Sequence, residues 1–71
     1  MSSGIRAIAA AAAIDHELVI ARKLTLAQWM DQNAVTRAML ESALNGNDPF
    51  GVIDMLADTL GVLPESLPRA A

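Results

Sequence analysis

Cysteine is absent from this sequence, which excludes disulfide staples, thiolate metal sites and cysteine nucleophiles together. Tyrosine is absent too, and Trp29 and Phe50 are the only aromatics, so any core must be built from Leu, Ile, Val and Met. The one histidine, His16, stands between Asp15 and Glu17; adjacent residues on a helix point apart, so the trio reads as a solvated polar turn and not as a metal or acid–base site. Asp54 and Asp58 are spaced to share a helix face, but no histidine or glycine-rich loop completes a metal or phosphate site around them. No serine has a plausible base and orienting acid. The sequence therefore predicts no enzyme, no metal and no cofactor.

Cations are scarce as well. Arg6, Arg22, Lys23, Arg37 and Arg69 face eight Asp and Glu residues, for a formal charge of −3. Nucleic-acid binders draw most of their non-specific affinity from neutralised phosphates, so a DNA-facing surface here must gather most of the five cations on one side. Long apolar runs are missing: the most apolar stretch, residues 5–14, falls far short of the roughly 20 residues of a membrane span. It also lacks the leucine-rich core and cleavage site of a signal peptide. A cytoplasmic setting, in a bacterial host cell, is the expectation.

What is present is alanine and regular punctuation. Apolar residues make up 54% of the 71 positions, enough for one small all-helical domain that removes only about 60% of its unfolded surface from water. A first helix is predicted from about residue 5 to 22 or 23, since alanine has the best helix propensity and Ile14, Leu18 and Ala21 form an apolar stripe. Ser3 or Asp15 offers an N-cap, leaving open one long helix or a frayed lead-in followed by a helix. Thr25 with Gln28 is a capping box, and Leu24 and Trp29 a hydrophobic staple, so a second helix starts at Leu26. Asn33 suits a left-handed C-terminal residue. Thr36 then caps a third helix, Arg37–Leu44, with Val35 and Leu40 as its staple and Asn45-Gly46 as its end. Asp48-Pro49 gives an N-cap with proline at the first helical position. The helix it opens carries Val52, Ile53, Leu56 and Leu60 and stops at Gly61. Residues 63–67 form a terminal turn whose Leu67 closes the core, and residues 68–71 are a frayed tail. The parts are thus residues 1–23, 24–46, 47–67 and 68–71.

Two short helices joined by Asn33-Ala34-Val35 make a helix-turn-helix pattern, whose second helix commonly lies in the DNA major groove. The stretch from about residue 22 to 67 resembles the phage repressor and Cro (Xre-like) helix-turn-helix family. The matching residues are Leu24-Thr25, Trp29-Met30, Val35-Thr36, Leu40, Ala43, Asn45-Gly46 and, most specifically, residues 56–62, LADTLGV. The resemblance implies a compact four- or five-helix lambda-repressor-like domain that acts as a dimer on a pseudo-palindromic operator.

Carried over residue by residue, it places Thr36, Arg37, Ala38, Glu41 and Ser42 on the groove-facing side of the third helix, with Gln28, Asn45 and Asn47 around them. Arg37 is the principal reader, since a guanidinium pairs guanine O6 and N7 bidentately for roughly 1–3 kcal/mol of discrimination. Ser42 would reach a base edge or phosphate and Ala38 a thymine methyl. Thr25 and the free N–H groups at the start of the second helix would hold a phosphate. This sequence also departs from the family. Leu26 replaces a frequent glutamine, Glu41 brings a negative charge to the groove face, Asn47 and Asp48 stand where basic residues often follow Gly46, and the connection to Ala57 is about two residues shorter. Fewer phosphate contacts predict weaker binding with a shallower salt slope.

The expected activity is therefore Cro-like transcriptional repression, of phage or mobile-element type, by occluding a promoter without a separate effector domain. The alternative is a protein-interaction module on the same scaffold, such as an antirepressor, inhibitor or antitoxin, with Leu26, Met39 and Leu44 as an apolar patch for the partner. DNA binding predicts Arg22, Lys23 and Arg37 on one face; the alternative predicts mixed charge around apolar surface. The alanine-rich first helix adds a third expectation, that a side unused by the core pairs with a second copy.

Overall fold

Alanine has the best helix propensity, and the first helix, α1, runs unbroken over Ser2–Arg22. The computed structural model describes residues 2–70, with side chains from residue 4 onward; a capping role for Ser3 lies outside the described side chains. The alanine run is thus one helix and not a frayed lead-in, and Asp15 sits inside it and caps nothing of its own helix. At 1.5 Å per residue α1 is about 31 Å long, matching the 32 Å long axis of the molecule. Its core stripe is Ala7, Ala10, Ala11, Ile14 and Leu18. Ala21, expected to extend that stripe, is exposed, because the last turn leads away from the core into the chain reversal at Lys23.

Three shorter helices pack along α1: α2 (Leu26–Gln32), α3 (Arg37–Leu44) and α4 (Val52–Leu60), followed by a 3-10 turn at Pro64–Ser66. Among the described residues there is no strand, and no helix is long and apolar enough to cross a membrane. Trp29, Ile14, Leu18, Leu40, Leu44, Leu56 and Val52 are fully buried at the centre. Met30, Met39 and Met55 pack half-buried at its edge, filling gaps with flexible side chains.

Each α-helix ends on a residue in the left-handed region: Lys23 (φ 52°), Ala34 (φ 56°), Gly46 (φ 100°) and Gly61 (φ 72°). The next N–H then reaches back to satisfy an orphan carbonyl, as in Val35 to Met30 at 2.9 Å, Asn47 to Ser42 at 2.9 Å and Val62 to Ala57 at 3.0 Å. Asn33 was expected in the left-handed position but has φ −106°. Its side-chain amide donates to the Trp29 carbonyl at 2.8 Å, a geometry available one residue earlier, and Ala34 takes the reversal.

The start of α4 also differs from expectation. Asp48 does cap the helix, its carboxylate accepting from the N–H groups of Val52 at 2.8 Å and Ile53 at 2.9 Å. Pro49 is not the first helical residue, however. Pro49 and Phe50 form a turn closed by the Gly51 N–H on the Asp48 carbonyl at 3.3 Å, Gly51 is left-handed at φ 70°, and the helix begins at Val52. Proline at the second position of a tight turn is equally compatible with its fixed φ. The tail is anchored and not frayed: the Ala70 N–H donates to the Leu44 carbonyl at 2.9 Å, and Arg69 donates to the Pro64 carbonyl at 2.9 Å. Leu67 is buried, as expected of the residue that closes the core.

Candidate nucleic-acid interface

The α2–turn–α3 unit is built from local sequence. Thr25 accepts from the Gln28 N–H at 3.1 Å while Gln28 Oε1 accepts from the Thr25 N–H at 2.9 Å, a complete capping box. Thr36 accepts from the Met39 N–H at 3.1 Å, and the Met39 sulfur accepts weakly in return at 3.5 Å. Buried Leu26 and Trp29 on α2, and Leu40, Ala43 and Leu44 on α3, fasten the pair to the core. The outer side of α3 is left with Thr36, Arg37, Ala38, Glu41 and Asn45, all exposed.

Several of the residues expected to meet nucleic acid are already engaged. The Ser42 hydroxyl donates to the Asn47 carbonyl at 2.7 Å and is half-buried, so it ties α3 to the following loop. Asn45 folds back to donate from its amide to the Glu41 carbonyl at 2.9 Å. Gln28 serves the capping box. The Asn47 backbone is held at both ends, by its N–H on Ser42 and its carbonyl on the Ser42 hydroxyl.

At the start of α2, where a phosphate was expected, two of the backbone donors are already engaged within the chain. The Leu26 N–H donates to the Asp15 carboxylate of α1 at 2.7 Å, and the Gln28 N–H is taken by Thr25. A carboxylate already occupies the positive end of this short helix, and it repels a second anion. Asp15 was read as part of a solvated turn; eleven residues of separation and a tertiary crossing hide this contact from local pattern.

Arg22 and Arg37 are engaged at different places along α1. Arg37 lines a shallow groove between α1 and α2 with Asp15, beside Ile8, Ala12, Leu26 and Met30. Arg22 lies seven residues beyond Asp15 on α1, about 10 Å further along, where it donates to the Thr59 carbonyl at 2.8 Å and to the Ala21 carbonyl at 3.1 Å. There it complements the negative end of α4. Among the described residues, the outer side of α3 itself carries one cation, Arg37, and one carboxylate, Glu41.

The apolar patch expected from Leu26, Met39 and Leu44 does not form. Leu44 and Leu26 are buried as members of the core and Met39 packs half-buried against it. The exposed large apolar residues are instead Ile5, Ile8, Val19 and Ile20 on α1, Phe50 in the turn before α4, and Val62 and Leu63 after it. Among the described residues no group of three His, Cys, Asp or Glu is placed to hold a metal ion. Comparison with protein-family models, curated proteins and solved structures finds no match to this chain.

Proposed function

We propose that this chain is a sequence-specific DNA-binding regulator with a repressor- or Cro-like fold, which sets α3 in the major groove of a cytoplasmic operator and represses by occupying a promoter. The observation that carries the reading is the α2–turn–α3 unit. Two capped helices meet at a tight turn, their inner faces are locked into the core, and the outer face of α3 is left exposed with Arg37 at its first helical position. A helix held this way has its rotamers free for base edges while its axis is fixed. Arg37 reads guanine, Ala38 contacts a thymine methyl and Thr36 supplies a hydroxyl at the groove edge.

The charge distribution supports only few phosphate contacts, so affinity rests unusually on base and shape readout, and the salt dependence is shallow. The test is selection from a randomised duplex library at two salt concentrations, with Arg37→Ala as control. Enrichment of a site that the variant no longer selects supports the reading; no enrichment even at low salt, where attraction is strongest, overturns it. One observation favours the second reading, a protein-interaction module: Arg37 and Asp15 border the apolar groove between α1 and α2, which is mixed charge around apolar surface. Arg37→Ala separates the two, since loss of base preference follows only from the first.

A further inference from the structure

Helix α1 has two apolar sides, and the fold uses only one. Opposite the core stripe lie Ile5, Ile8, Ala9, Ala12, Val19 and Ile20, with His16 the one ionisable group at the centre of the row. The four large residues are 70%, 64%, 43% and 66% exposed for Ile5, Ile8, Val19 and Ile20. Together they offer on the order of 400 Å² of aliphatic surface on one helix, within the range of a monomer's largest patch, which is often a functional one.

Three features of this face point to a second copy of the same chain as its occupant. First, the size pattern is self-complementary at the ends of the face. Large residues stand at both ends, at positions 5, 8, 19 and 20, while alanines 9, 12 and 13 fill the middle. Two such helices laid antiparallel, with the two-fold axis at Ala12, approach closely at their centres and set Ile5 of one copy beside Val19 and Ile20 of the other.

Second, the flanking charges match in that arrangement and in no arrangement within one copy. Arg6 and Glu17 are exposed and eleven residues apart, three helical turns, so they lie on one flank about 16 Å from each other. In an antiparallel pair the same flanks face one another, and Arg6 of each copy falls beside Glu17 of the other, twice over. In a parallel pair Glu17 would instead face Arg22 of the other copy, whose guanidinium is already spent on the Thr59 and Ala21 carbonyls. Third, doubling the aliphatic patch and adding the central alanines brings the area available for burial to about 1,000 Å², the threshold that a specific interface has to clear and the size class of a weak, concentration-dependent dimer.

We infer that the chain forms an isologous antiparallel dimer through the outer face of α1, centred on Ala12 and framed by two Arg6–Glu17 ion pairs between copies. The inference does not depend on DNA: the dimer persists or fails without any nucleic acid present, whatever the operator selection returns.

The test uses the full chain in sedimentation equilibrium across a concentration series. The expected mass is twice the 7.5 kDa of one chain. Ala12→Glu, an outward position in a good helix former, sets two carboxylates against each other at the axis and yields the monomer with unchanged helical circular dichroism. Arg6→Glu and Glu17→Arg each weaken the dimer about tenfold, and the double charge reversal recovers most of that loss, because it re-forms both pairs with opposite sense. Oxidation of a mixture of Ile5→Cys and Val19→Cys chains gives the mixed disulfide in excess over the two like-with-like products. A wild-type chain that is monomeric at every concentration overturns the proposal, as does a dimer that survives Ala12→Glu. Single reversals without effect, a double reversal without recovery, or a predominance of like-with-like disulfides overturns the antiparallel register.

Discussion

The indole N–H of Trp29 donates to the Thr59 hydroxyl at 2.9 Å, and that hydroxyl donates in turn to the Met55 carbonyl at 3.0 Å. One side chain on α4 thus satisfies the only polar atom of the largest buried residue on α2. The Thr59 backbone carbonyl meanwhile accepts from Arg22, so three helices converge on this residue. A valine at 59 keeps the shape and removes the acceptor. Thr59→Val is expected to cost about 1–2 kcal/mol, the lower part of the range for an orphaned buried donor because Thr59 is only half-buried. In a domain this small that lowers the melting temperature by roughly 5–15 °C. Thr59→Ser, which keeps the hydroxyl, is expected to lose clearly less. A valine variant that melts with the wild type would show that the indole finds another partner.

The helix-turn-helix bend is reversed by Ala34 at φ 56°, where an L-residue with a Cβ is strained by roughly 1–2 kcal/mol. Glycine relieves that strain but also gains freedom in the unfolded chain, so Ala34→Gly is expected to stabilise by about 0.5 kcal/mol, with the capping box of α3 intact. The converse holds at the end of α4. Gly61 has φ 72°, and a Cβ there would meet only the Arg22 guanidinium at 3.8 Å. The cost of Gly61→Ala is therefore backbone strain and not a clash, about 1–2 kcal/mol. Urea melts of the two variants, read at their midpoints, should move in opposite directions; a shared direction would contradict the backbone account.

Two carboxylates serve as caps at a distance, Asp15 on Leu26 and Asp48 on Val52 and Ile53. Replacing either with alanine frees N–H groups in partly buried surroundings, at about 1–2 kcal/mol each. The sites do not share a partner, so the double variant is expected to lose the sum within about 0.5 kcal/mol. A loss clearly smaller than the sum would mean that the two caps answer to a common rearrangement.

Sequence pattern was sufficient for several local determinants. The Thr25–Gln28 box, the span of α3 and the Gly61 stop all follow from residues within a turn of one another, whereas the left-handed residue after α2 fell at Ala34 and not at Asn33. It failed where the determinant is tertiary. Asp15 reads as a solvated turn because its partner is the Leu26 backbone on another helix. The tail reads as frayed because its anchor is the Leu44 carbonyl, and Leu44 reads as part of a surface patch although its side chain belongs to the core. Asp48 was recognised as a cap, yet its reach across an intervening turn to Val52 and Ile53 displaced the helix start by three residues. The candidate interface was legible as a pair of helices and not as a surface. Which side chains are free and which are spent on capping depends on hydrogen bonds that no spacing rule displays.

Glu41 gives the sharpest test of how α3 would read DNA. It is exposed on the outer face of the helix, one turn beyond Arg37, and its carbonyl, not its carboxylate, holds Asn45. Glu41→Gln therefore leaves the helix end intact and removes a negative charge from the proposed groove face. If α3 faces phosphates, selected duplex is expected to bind the variant about three- to tenfold more tightly at low salt, and the gain should shrink as salt screens the removed repulsion. A carboxylate that accepts from a cytosine amino group gives the opposite result: weaker binding, concentrated on sites with cytosine at one position. Fluorescence anisotropy on the selected duplex and on single-base variants distinguishes the two. Equal affinities on every duplex would place Glu41 away from the DNA and shift the contact surface toward the Arg37 end of the helix.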